Sequence, residues 1–127
     1  MQISEQLSLT AMMKQAAKEA NQGPELSDDH LETLIQTYST NPDCCLFYNE
    51  HGFIMGLMTT GHILFPGIKI ALEVAWWVHP EHRKKMHGGL LYKDFAKWAE
   101  DNKAEYIFTG IETRGSRKIS ECYMRKL

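Results

Sequence analysis

The sequence predicts an α/β (α+β) fold for one domain spanning residues 1–127, with a mixed sheet flanked by helices. Three observations predict it. Residues 9–38 carry apolar side chains at helical spacing in two runs. Residues 44–78 change to short apolar runs divided by the turn dipeptides His51-Gly52 and Pro66-Gly67. Residues 88–111 return to helical spacing and close on one more apolar run. The expected sheet is an antiparallel meander followed by a parallel strand–helix–strand crossover.

Leu9, Met12, Met13, Ala16, Ala17 and Ala20 define a first helix with one apolar face, stopped by Gly23-Pro24. Ser27 is a candidate N-cap for a second helix through Leu31, Leu34, Ile35 and Tyr38, which ends before Asn41-Pro42. Three strands follow: "CCLFYNE", the longer "FIMGLMTTGHILF" and "IKIALEVAWWV". Strict alternation in the third places Ile70, Leu72, Val74, Trp76 and Val78 on a helix-packing face. Lys69, Ala71, Glu73, Ala75 and Trp77 fall opposite, with alanines flanking a lone carboxylate. Leu91, Phe95 and Trp98 predict a third helix from near Gly88 to near Asn102. "EYIFTGI" is the next strand, and "RGSRKISECYMRKL" reads as a short C-terminal helix.

Composition narrows the function classes. Hydrophobic residues make up 43% and charged residues 24%, which suits a soluble globular chain. The net charge of −2 argues against a nucleic-acid coat, but the charge is uneven. Residues 1–78 hold three Lys against nine acids, and residues 79–127 hold eleven Lys or Arg against seven acids. Such asymmetry points to a local anionic ligand. Cys44, Cys45 and Cys122 make a poor disulfide framework and suggest reduced thiols in a cytoplasmic protein. No apolar run approaches a membrane span.

The positive half begins at "HPEHRKKMHGGL", between the third strand and third helix. A helix N-terminus offers unpaired N–H groups and partial positive charge. Gly88 and Gly89 leave an anion room to approach, and Arg83, Lys84 and Lys85 lie just upstream. A phosphate cradle and a solvated basic loop both fit these residues. Neither the P-loop nor the G-x-G-x-x-G pattern is present. His79, His82 and His87 lack the Cys or clustered carboxylates of a metal site, so no metal is expected.

The segment "LEVAWWVHPEHRKKMHGGLLYKDFAKWAE" resembles the acetyl-coenzyme A-binding core of the GCN5-related N-acetyltransferases (GNAT family). "AWWVHPEHR" is similar in wording to acetyltransferase-like proteins of bacteriophages, which would place the protein in the host cytoplasm. The resemblance covers roughly residues 45–127 and implies acetyl-coenzyme A as co-substrate. Trp77 and Val78 would then line the pantetheine arm. The backbone of Arg83, Lys84, Lys85, Met86, His87, Gly88 and Gly89 would hold the pyrophosphate. Glu73 stands where the family often has a general base. Tyr123, four positions before Leu127, stands on the C-terminal helix where a general acid is common. The sequence departs from the family pattern in three places. Met86 replaces the first loop glycine, the last two strands are truncated, and the first strand is at best "MQIS". A missing strand leaves an open sheet edge and the expectation of a homodimer.

The expected function is acetyl transfer to a primary amine of a small molecule or protein. The alternative is an inactive GNAT-fold module that binds coenzyme A or another protein. No nucleic-acid or membrane partner is expected. Glu73 acting as base or pairing with a Lys or Arg, and Tyr123 acting as acid or merely packing, both remain open on the residues alone.

Overall fold

The structure, a computed structural model, describes the backbone of residues 1–20, 25–83, 87–113 and 119–127. Side chains are described for the same residues apart from 20, 87, 111–113 and 119–123. The elements run α1 (Ile3–Ala20), α2 (Asp28–Thr40), β1 (Cys44–Asn49), β2 (Gly52–Thr59), β3 (Ile70–Val78), α3 (His87–Asp101), β4 (Tyr106–Thr113) and β5 (Ile119–Lys126). A 3-10 turn over Pro80–His82 separates β3 from α3. Five strands form one sheet in the order β1-β2-β3-β4-β5. Only the β3–β4 pair is parallel.

The predicted helices have the expected causes. Leu9, Met12 and Met13 bury the inner face of α1, and Leu31 and Ile35 that of α2. Ser27 caps α2, its hydroxyl accepting from the His30 N–H at 3.2 Å. In α3, Leu91, Phe95 and Ala99 recur every fourth residue and are buried. That helix ends in a Schellman motif. Lys103 takes φ 65°, the Ala104 N–H reaches the Ala99 carbonyl, and the Lys103 N–H reaches that of Glu100.

The sheet is covered on both faces. One core joins Ile54, Met58, Ala71, Val78 and Ile107 to Leu91, Phe95 and Ala99 of α3. The other joins Phe53, Met55 and Trp77 to Leu9, Met12 and Met13 of α1 and to Leu31 and Ile35 of α2. Full burial of a side chain such as Phe95 or Leu9 contributes about 2–3 kcal/mol.

Four expectations are corrected. "MQIS" is not a strand, because Ile3 and Ser4 already belong to α1. The second strand stops at Thr59, and residues 60–69 form a loop in which Ile63 and Leu64 are exposed. The C-terminal segment is a strand, not a helix. Ile119, Cys122 and Tyr123 lie at i, i+3 and i+4, which imitates a helix, but β4 offers an open edge. Pairing runs from Thr113↔Ile119 to Tyr106↔Lys126, and eight residues of ladder outweigh a short apolar triad.

The fourth correction is the alternation of β3. Met55 pairs with Ala75 and Gly56 with Glu73, so Val74 is an extra, bulged residue. The bulge breaks the period of two. Ala71, Trp76 and Val78 pack toward α3, while Ala75 and Trp77 pack toward α1 and α2. Val74, expected in the core, is 48% exposed. The alanines therefore do not flank Glu73 on a shared face.

Opposite Glu73, Gly56 has no room for a side chain. A Cβ there would lie 2.4 Å from Phe95 Cε1 and 2.8 Å from Cys45 Sγ. We expect Gly56→Ala to lower the unfolding free energy by about 2 kcal/mol through overpacking. Gly61→Ala, where the nearest atom would be 3.7 Å away, should stay within about 0.5 kcal/mol of the parent. Urea unfolding of both variants checks the pair.

Candidate active site

The bulge bends β3 and sets the shape of the site. The parallel ladder contains only Ile70↔Tyr106, Ala71↔Ile107 and Leu72↔Phe108. Beyond these pairs β3 runs on to Val78 and β4 to Thr113 without pairing to each other. A notch thus opens between the carboxyl ends of two parallel strands, a position where open α/β sheets take their ligands.

Glu73 is the first β3 residue past the last parallel pair. It is half-buried, and loss of hydration pushes its carboxyl pKa up to about 7. Thr109, buried, follows the last pair on β4, and its backbone pairs with Tyr123 on β5. Tyr123 therefore lies two strands from β3, with β4 between it and the notch. Its side chain lies outside the described residues, as does that of Cys122.

The segment after β3 is pinned on two sides. The His79 N–H donates to the His51 carbonyl at 2.7 Å, and the His51 and His82 rings lie 4.1 Å apart. Arg83 folds back toward the fold. Its Nε donates to the Val78 carbonyl at 2.8 Å and its Nη2 to Glu19 Oε1 at 2.7 Å. The other oxygen of Glu19 accepts from Trp77 Nε1 at 3.1 Å. The last turn of α1, the end of β3 and the start of the loop are thereby joined through one carboxylate. Trp77 is 8% exposed and its indole is committed to this junction, so its contact with the notch is left to its backbone.

On the α3 side of the same strand end lies a cleft of about 350 Å³, lined by Trp76, Val78, Arg83, Gly88 and Gly89. The first amides of α3, at His87, Gly88 and Gly89, have no intrahelical acceptor. Trp76 Nε1 and Arg83 Nη1 are both buried without a hydrogen-bond partner among the described residues. The Val78 carbonyl is occupied by Arg83. Gly88 fits closely, since a Cβ there would lie 3.2 Å from Val78 Cγ2 and 3.6 Å from Trp76 Cζ2. The unsatisfied polar groups of this cleft are donors, so it suits a ligand that presents acceptor oxygens, above all a phosphate.

The structure thus brings Val78, Arg83, Gly88 and Gly89 together and puts Glu73 at the neighbouring notch. Lys84, Lys85 and Met86 lie outside the described residues, as does the side chain of His87. Sequence reasoning missed Glu19, which carries no motif, and assigned Trp76 only to the core. The signal for Trp76 was the pair "WW" itself, because adjacent strand residues point to opposite faces. Among the described residues no three His, Cys, Asp or Glu side chains gather as metal ligands do. No described helix is long and apolar enough to cross a membrane.

The sequence matches the profile of the Acetyltransferase (GNAT) family over residues 10–124. Among curated proteins none matches it by sequence. The fold is similar to ribosomal-protein-alanine N-acetyltransferase from Brucella melitensis, with TM-score 0.70 and 12% identity over 100% of this chain and 96% of that one. It is similar to AAC(6')-Iy in complex with the bisubstrate analogue CoA-S-monomethyl-acetylneamine, with TM-score 0.70 and 11% identity over 92% of this chain and 78% of that one. It is also similar to glucosamine-6-phosphate N-acetyltransferase from Arabidopsis thaliana, with TM-score 0.65 and 11% identity over 95% and 93%. At these identities the likeness is one of fold.

The junction at Glu19 can be measured directly. The Arg83 and Glu19 side chains are 23% and 21% exposed, so their pair is only partly screened. A double-mutant cycle of Arg83→Met and Glu19→Gln should give a coupling energy of about 1–2 kcal/mol in urea unfolding. Additive effects would show that the contact carries no stability.

Proposed function

The chain belongs to the acetyltransferase (GNAT) family, and from that premise we propose that it is an acetyl-coenzyme A-dependent N-acetyltransferase acting on a primary amine. The observation that carries this reading is the donor-lined cleft at the start of α3, beside a notch whose carboxylate has a pKa of about 7. An anion-binding cleft and a proton-accepting group placed along one strand are what acetyl transfer from a phosphate-bearing thioester requires.

Gly88 and Gly89, together with the backbone of Arg83, Lys84, Lys85, Met86 and His87, would hold the pyrophosphate. The backbone of Trp77 and Val78 would line the pantetheine arm. Acetyl-coenzyme A brings the acetyl thioester as co-substrate. Glu73 takes a proton from the acceptor ammonium, directly or through one water, and frees the lone pair that attacks. A backbone N–H near Val78 donates to the thioester oxygen as charge grows on it. As the C–N bond forms and the C–S bond breaks, Tyr123 returns a proton to the departing sulfur. Its place is in β5, on the far side of β4 from the notch, and not on the helix read from the sequence, so this role rests on the family resemblance. The neighbours named ribosomal-protein-alanine N-acetyltransferase and glucosamine-6-phosphate N-acetyltransferase suit an amine acceptor.

Calorimetry with acetyl-coenzyme A should give a Kd of about micromolar, weakening as salt rises because part of the attraction is to phosphate. No heat at millimolar ligand would remove the coenzyme from the proposal.

A thiol-release assay over amine acceptors tests the chemistry. A base must be ionised, so kcat/KM should rise with pH through about 7 and level off above it. Glu73→Gln should abolish that limb and lower the rate by about 10²-fold or more. Tyr123→Phe should lower kcat while leaving coenzyme affinity unchanged. Binding without thiol release from any acceptor would favour a non-catalytic coenzyme-binding module.

A further inference from the structure

We propose that the indole N–H of Trp76 is a direct hydrogen-bond donor to a phosphate oxygen of the coenzyme held at the start of α3. The inference rests on the coenzyme reading of the cleft and adds a side-chain ligand to its backbone amides.

Two adjacent tryptophans treat their N–H groups differently. Trp77 Nε1 donates to Glu19 at 3.1 Å. Trp76 Nε1 is withdrawn from solvent but has no partner among the described residues. Leaving such a donor unpaired costs about 1–3 kcal/mol, and a native fold rarely tolerates it without a use. Trp76 also lines the cleft, so its unpaired group lies close behind the wall of a space open to a ligand.

The ring is held in place beside the first turn of α3. It packs on Tyr92 of α3 with centroids 5.5 Å apart and planes 30° from parallel. A Cβ added at Gly88 would fall 3.8 Å from Nε1. The donor therefore stands beside the first turn of α3, where the helix amides and dipole favour an anion. Arg83 Nη1, also buried and unpaired, lines the same cleft. Two side-chain donors and a helix N-terminus meeting there select an anionic acceptor over a neutral amide. The bulge at Val74 makes the arrangement possible, because it turns Trp76 and not Trp77 toward α3.

The test uses ¹⁵N-labelled full-length protein. The chain has three tryptophans, giving three indole N–H resonances. The resonance missing from Trp76→Phe belongs to Trp76. Titration with coenzyme A should move that resonance well beyond that of Trp98. Inorganic pyrophosphate should move it as well, and pantetheine, which lacks phosphate, should not. In calorimetry, Trp76→Phe keeps the ring but should weaken coenzyme A binding roughly 10- to 100-fold, the usual value of a hydrogen bond to a charged group. A still Trp76 resonance while calorimetry reports bound coenzyme A overturns the proposal and leaves the coenzyme reading intact. So does an equal shift with pantetheine. Absence of coenzyme A binding in the parent protein overturns both. If Trp76→Phe folds poorly, Trp77→Phe and Trp98→Phe assign the other two resonances and leave Trp76 by elimination, so the parent titration still decides the matter.

Discussion

One extra residue in β3 governs the rest of the architecture. Val74 has no partner across from β2, and its insertion has two consequences. It exchanges the faces of the strand beyond it, sending Trp76 and Val78 to α3 and Trp77 to α1. It also bends β3, so that pairing with β4 ends at Leu72↔Phe108. A regular β3 would keep pairing along β4 and close the notch. It would also exchange the two indoles, taking Trp77 from Glu19 and Trp76 from the cleft. The groove, its carboxylate and its donors all trace to that single irregularity.

The order of elements was legible because each long element has a simple period. Leu9, Met12 and Met13, then Leu31 and Ile35, then Leu91 and Phe95 repeat at helical spacing and are the residues found buried. Parallel pairing of β3 and β4 followed from the helix between them. The faces of β3 were not legible, since a period of two carries no mark of a bulge. Gly56 on the neighbouring strand was the available hint, because a glycine inside a strand often marks an irregular pairing. The C-terminal strand was hidden for another reason. What decides its state is the open edge of β4, and that edge exists only once the sheet has formed. The cleft lined by Gly88 and Gly89 could be anticipated from a glycine pair at the start of a helix. The Glu19 junction could not, because it joins residues 58 and 64 positions apart.

The groove is an expensive part of the fold. Glu73 prefers its neutral form up to a pH of about 7. Its burial therefore favours folding only while it is protonated, and that contribution fades as pH rises from the ordinary carboxylate range through about 7. Trp76 Nε1 and Arg83 Nη1 add two unpaired donors within reach of the same cleft. Deficits gathered at one strand end, while the two cores are well filled, are the pattern expected where local consistency yields to ligand chemistry. The Glu19 junction offsets part of the strain by tying α1 to the weak region.

That junction also changes how the basic charge of the loop should be read. Composition suggests that Arg83 adds its charge to an anion site. In the fold its Nη2 faces Glu19 and its Nε faces the Val78 carbonyl. Much of the guanidinium field is thus neutralised before any ligand arrives, and a single Nη1 remains for the cleft. On the coenzyme reading, recognition of a phosphate would then fall mainly on groups that carry no formal charge, the amides of Gly88 and Gly89 and the indole of Trp76. Such donors hold an anion by direction more than by net charge, so their hold is short in range and less sensitive to salt than a lysine cluster. The salt dependence of coenzyme binding therefore separates the two sources. A shallow slope assigns the anion to the amides and the indole, and a steep one to Lys84 and Lys85.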